Sequence, residues 1–200
     1  DIIFFFLFKV TLFTEFQVRK IVSIPKVFNV CSVGYFQSFN FFEELEEKLD
    51  KVLNGLRIEP IENYVCLHLR GGDFLSNKAT AEFGKLSENY YKQSLGYGTQ
   101  SARSVDSRSL VILTNDKNHA KKFFISEDKK KIIAGDLEEF FSYALGARIF
   151  ISSNSTLSYF IVLLRNRAKM TSIVPSPFQL NKNFKFPNSK YIKSEGAGYR

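Results

Sequence analysis

From Asn63 onward the chain repeats one pattern: a run of four to six mostly apolar residues, rich in β-branched side chains, and then a stretch with helical spacing. The runs are Tyr64–Leu69, Leu110–Thr114, Lys131–Ala134, Ala147–Ser152 and Thr171–Pro175. A half-solvated strand alternates apolar with polar residues, whereas near-continuous apolar runs belong to strands covered on both faces. Between them lie Ser87–Leu95, Lys117–Phe124, Asp136–Gly146 and Ser155–Arg167, the third opening on Asp136 as a cap and closing on Gly146. Strands joined by crossover helices run parallel, so the pattern predicts an α/β domain on a Rossmann-like, doubly wound parallel sheet.

Upstream, Phe41–Leu56 has acids early, lysines later and Gly55 near its end, the signature of a helix. Pro60 then punctuates the chain, and the region around Ile58 to Glu62 reads as a linker. The predicted organisation is a first part over residues 1–60, ending in that helix and linker, and an α/β domain over residues 61–200. Residues 101–109, SARSVDSRS, are small and charged without a period and predict a surface loop. The opening DIIFFFLFKVTLF is interrupted by Lys9, short of the roughly 18 unbroken apolar residues of a spanning helix. It also lacks the basic region and small-residue cleavage site of a signal peptide. Because the chain starts at Asp1 inside an apolar run, it reads as a fragment.

A net charge of +8 favours an anionic partner without saying which. The densest basic run, Lys129 to Lys131, has no interleaved aromatics and suits a solvated face better than a nucleic-acid groove. Cys31 and Cys66 stand far apart, each in an apolar strand-like run. They fit buried small hydrophobes in a reducing compartment rather than a disulfide framework or a zinc site.

Three polar clusters share one placement, at or just past the end of a predicted strand: His68 to Asp73, Thr114 to Asp116, and Ser152 to Ser158. In open α/β sheets ligands bind outside the carboxyl ends of the strands, so the three should converge on one crevice. In the last cluster, SSNSTLS, a helix N-terminus offers N–H groups to a phosphate, with hydroxyls of Ser155, Thr156 and Ser158 as further donors. A plain cap by Asn154 or Ser155 accounts for the same composition and, taken alone, is favoured. Arg70, at a strand exit, matches a phosphate bidentately or pairs internally with Asp73, and the stretch itself does not choose. His68 shares the side of Arg70 by strand alternation. His119 lies mid-helix among lysines and is expected on the surface.

No DxD pair, HExxH or Cys/His cluster is present to hold a divalent metal, so a bound diphosphate would need Arg, Lys and N–H groups. GxGxxG and P-loop fingerprints are also missing, which weighs against a dinucleotide dehydrogenase and an NTPase.

Read in order, HLRGGDF, GKLSENYYKQSL, ILTND, DLEEFFSYALGARIFISSNSTLSYFIVLL and IVPSPF resemble the motifs of the α-1,2-fucosyltransferases of glycosyltransferase family 11. Upstream, GYFQSFNFF at Gly34 to Phe42 is similar to that family's GYFQS-x-x-YF element, so the resemblance runs from about Gly34 to Phe178. It implies a GT-B architecture in which residues 61–200 are the GDP-fucose-binding domain and residues 1–60 a remnant of the amino-terminal one. It implies inverting transfer of fucose from GDP-fucose to a sugar hydroxyl of a galactoside glycan, with no metal or other cofactor. The implied catalytic set is Arg70 on the donor diphosphate, His68 in the same pocket and Asp73 bracing the loop; the base stays open, with Asp73 and Glu82 nearest. Asn154, Ser155, Thr156 and Ser158 would bind phosphate and the nearby donor, Asn115 and Asp116 would approach the nucleoside, and Asp136 would reach it or only cap its helix.

Gly71 stands where the family usually carries a second arginine (HxRRGD), STLSYF replaces STFSWW, and the glycine-rich GGLGNQ element is not found. These departures leave a second expectation, a non-catalytic nucleotide-sugar or glycan-binding remnant of the fold. The family implies a cytoplasmic enzyme associated with the inner membrane face, or a Golgi one in a eukaryote, with no nucleic-acid partner.

Overall fold

The computed structural model describes residues 3–5, 10–14, 29–33, 62–77, 80, 84–101, 109–123, 130–178 and 186–194. The predicted helix at Phe41–Leu56, the GYFQS element, linker residues 58–61, loop residues 102–108, Glu82 and Lys129 lie outside the described residues. The chain divides into two compact units, Asp1–Leu49 and Asp50–Arg200. In the first, β1 (Ile3–Phe5) pairs antiparallel with β2 (Val10–Thr14), which pairs parallel with β3 (Asn29–Val33).

Among the described residues the second unit holds six strands: β4 (Glu62–Leu69), β5 (Leu110–Thr114), β6 (Lys130–Ile133), β7 (Ala147–Ile151), β8 (Ser172–Ser176) and β9 (Ser189–Lys193). Every pairing is parallel, in the order β6-β5-β4-β7-β8-β9. Counted from β4, that is the 3-2-1-4-5-6 order of a doubly wound nucleotide-binding sheet, so the expected Rossmann-like fold is present. The chain winds outward from β4 to β6, crosses back, and winds outward again from β7. Its topological switch point falls between β4 and β7.

Four helices connect the strands: α1 (Glu88–Ser101), α2 (Lys117–Phe123), α3 (Leu137–Gly146) and α4 (Thr156–Arg167). On one face Val65, Leu67 and Leu69 of β4 join Ile112, Ile149, Ile151 and Ile173 in a core closed by Tyr90 and Tyr91 of α1. Alternation puts Tyr64, Cys66 and His68 on the other face, where Tyr143 and Phe140 of α3 meet Tyr64 and His68 edge to face. Each fully buried Ile or Leu in such strands contributes about 1.5–3 kcal/mol, which is why the runs are apolar on both sides. Cys66 is a buried free thiol, and burial pushes its pKa up, in keeping with a packing role.

Beyond shifts of a residue at strand and helix ends, the fold departs from the sequence reading in two boundaries and one further strand. β4 starts at Glu62, inside the expected linker. α1 runs on past Leu95 through two glycines, of which Gly98 is buried facing Val65, Ile149 and Ile173 of the sheet. β9 was not predicted; it is an edge strand, SKYIK, with only Ile192 fully buried, and so lacks an apolar run.

One buried cation organises the far end of this sheet. Arg165 in α4 is 0% exposed and donates to the carbonyls of Ala144, Leu145, Ala147, Arg148 and Thr171 and to Ser172 Oγ. Burial lowers its pKa to about 10, so it remains charged at neutral pH. Two of those carbonyls belong to the last turn of α3, the negative end of its dipole.

Candidate functional site

The β7–α4 turn begins where β7 leaves the sheet and ends where Ser155 caps α4, accepting from Ser158 N at 3.2 Å. Ser158 Oγ accepts from Ser153 N at 2.9 Å, so the turn is closed on itself by two side-chain bonds. His68, near the end of β4, reaches across the switch point and places Nδ1 2.7 Å from Ser158 Oγ, 3.2 Å from Ser153 Oγ and 3.5 Å from Ser155 Oγ. The two strand exits that flank the switch point are thus fastened to each other. His68 is only 2% exposed, and burial, with the charge of Arg70 adding to it, lowers its pKa to about 3. The imidazole is neutral at physiological pH.

Arg70 follows the last residue of β4, is half-buried, and lies near enough to bias the His68 imidazole electrostatically. Gly71 and Gly72 then carry the chain into a 3-10 turn over Gly72–Leu75, with Gly72 at φ +59°, a conformation glycine adopts without strain. Asp73 falls within this turn. Asn115, just past β5, clamps Gly71 at two points: Gly71 N donates to Asn115 Oδ1 at 2.8 Å, and Asn115 Nδ2 donates to Gly71 O at 3.2 Å. Asp116 caps α2, accepting from His119 N at 3.0 Å. That N–H, helped by Gly72 N–H, holds its carboxyl below the usual carboxylate range.

The three clusters therefore do converge, but with different duties among their members. The hydroxyls of Ser155 and Ser158, expected as phosphate donors, are buried and engaged within the turn, so what they stabilise directly is its shape. The same holds for Asn154, whose Nδ2 donates to Gly84 O, tying the chain before α1 to the turn. Tyr90 Oη adds a second tie from α1, donating to Ser152 O at 2.9 Å. Thr156, at the first position of α4, is more exposed than Ser155 and Ser158. Asp136 caps α3, its carboxylate accepting from Glu138 N at 2.8 Å. It lines a cavity of about 640 Å³ beside α3, with Tyr64, Lys131, Glu139 and Tyr143 among its walls.

His119 is a correction to the surface expectation. It is half-buried, meets Phe123 edge to face and stands over Gly71, where an added Cβ would lie 3.4 Å from its Cδ2 and 2.8 Å from Asp116 Cβ. The signal that could have found it is the cap: an Asp three residues before a helical histidine brings that histidine's N–H back over the strand exits. The same geometry explains why position 71 is glycine. No side chain fits there unless Asp116 moves.

Among the described residues no group of His, Cys, Asp and Glu is arranged to hold a metal, and no helix is long and apolar enough to cross a membrane. Residues 14–194 match the sequence model of the family described as Glycosyl transferase family 11. Among curated proteins no significant relative was found.

Proposed function

The chain belongs to glycosyl transferase family 11, a family of fucosyltransferases, and from that premise we propose that it takes L-fucose from GDP-fucose and transfers it to a sugar hydroxyl. The observation that carries the reading is the fastening of the β4 and β7 exits across the switch point, His68 Nδ1 to Ser158 Oγ at 2.7 Å, at the place where doubly wound sheets bind nucleotides. Arg70 and the first-turn N–H groups of α4 are preorganised there for a diphosphate. Both interactions strengthen as negative charge accumulates on the departing GDP. In this scheme His68 positions the turn rather than carrying a proton, and Asn115 and Asp116 hold the β5 side of the crevice toward the nucleoside. The transfer is proposed to invert the anomeric centre, form an α-1,2 linkage to a galactoside glycan and need no metal, with the enzyme working in the cytoplasm at the inner membrane face. The test is a GDP-binding assay run beside assays of fucose transfer and donor hydrolysis. Guanine-selective binding with fucose release supports the transferase.

A second reading is favoured by Gly71, which leaves the strand exit one cation short of the family pattern with no room for a side chain. A nucleotide-sugar-binding domain without turnover would bind GDP tightly in the same assays and release no fucose.

A further inference from the structure

Position 71, where the family pattern carries a second arginine beside Arg70, has no room for a side chain and cannot supply that cation. The chain before α1 offers a replacement from another direction. Asn154 Nδ2 holds the carbonyl of Gly84, so this segment is anchored to the β7–α4 turn on one side of the switch point. Gly84 is buried at φ +75° and Leu86 is buried, and Lys85 between them is half-buried. On the other side of the switch point stands His119, over Gly71; Lys85 is near enough to His119 to act on it electrostatically. A residue next to an anchor on the β7 turn and close to a ring on the β5 side spans the exit of β4, where Arg70 lies.

We propose that Lys85 is the second cation of the donor site, bringing over the crevice from the α1 side the charge that Gly71 cannot carry. The inference rests on the donor-site reading above. A lysine ammonium is a compact point charge on a flexible stem, so it takes a phosphate oxygen without the planar two-point match of arginine. It should therefore contribute to affinity for the diphosphate and nothing to recognition of the base.

The test is calorimetric titration of GDP and, separately, of guanosine into the wild-type chain, Lys85→Ala, Lys85→Arg, Arg70→Ala and, as a control, Lys92→Ala. Lys92 is exposed on α1 and paired with Glu88 at 2.7 Å. Lys85→Ala is expected to weaken GDP binding about tenfold or more while guanosine binding stays unchanged, which also shows that the variant is folded. Lys85→Arg should stay close to wild type, and Lys92→Ala should match it. GDP binding unchanged in Lys85→Ala but lost in Arg70→Ala would overturn the role of Lys85 and leave the donor site standing. A parallel loss of guanosine affinity would make Lys85 a structural residue and overturn it too. A folded wild type that binds no GDP would sink the donor-site reading itself, and the inference with it.

Discussion

His68 is a histidine that the fold keeps from titrating. Free imidazole protonates near pH 6.5, but in the folded chain it does so only near 3. Between those values the unfolded chain binds the extra proton and the native state does not. The contribution is thus fully present above about pH 6.5 and is lost as pH falls toward 3, by up to about 1.4 kcal/mol per unit. His68→Asn, whose amide reaches the serine cluster without titrating, should flatten the acid limb of a stability-against-pH curve measured by urea unfolding. An identical acid limb in the variant would contradict the buried, neutral assignment. Gly71→Ala tests packing at the same exit: a Cβ 2.8 Å from that of Asp116 should cost about 1–3 kcal/mol in the same measurement, and no loss would mean the loop yields freely. Arg70, Gly71 and the serine run were legible in the sequence because strand ends locate them. His119 and Lys85 were not, since their positions depend on a cap and on an Asn154 bond that bring distant segments together.

At the scale of elements, the apolar runs located five of the six strands of the sheet, and helical spacing located all four described helices. Burial on both faces writes itself into the sequence; β9, with Ile192 its one buried residue, left no apolar run. The extension of α1 through Gly98 was hidden for the opposite reason. Glycine usually signals a stop, and only the folded chain shows that Gly98 is buried inside a continuing helix here. Arg165 could not be read as structural either, because a lone arginine near a helix end ordinarily caps that helix at the surface. Here it joins the end of α3 to the starts of β7 and β8. Arg165→Met would fill the volume but orphan several buried carbonyls, with an expected loss of about 3 kcal/mol or more by chemical denaturation. A variant as stable as wild type would show that the carbonyls find other donors.

For the whole molecule, the strand order does what no single motif could, by putting the exits of β4 and β7, at Leu69 and Ile151, side by side although 81 residues of chain lie between them. The positive net charge is consistent with an anionic donor but would suit many anions equally, so selectivity for guanine is the property that separates this site from a general basic surface. The most direct measurement is calorimetric titration of the 200-residue chain with GDP and with ADP, beside Arg70→Ala. Saturable binding of GDP in preference to ADP, lost in the variant, is the expected result. A folded chain that takes up neither nucleotide, or takes up both alike with Arg70 removed, would contradict a donor site at the switch point.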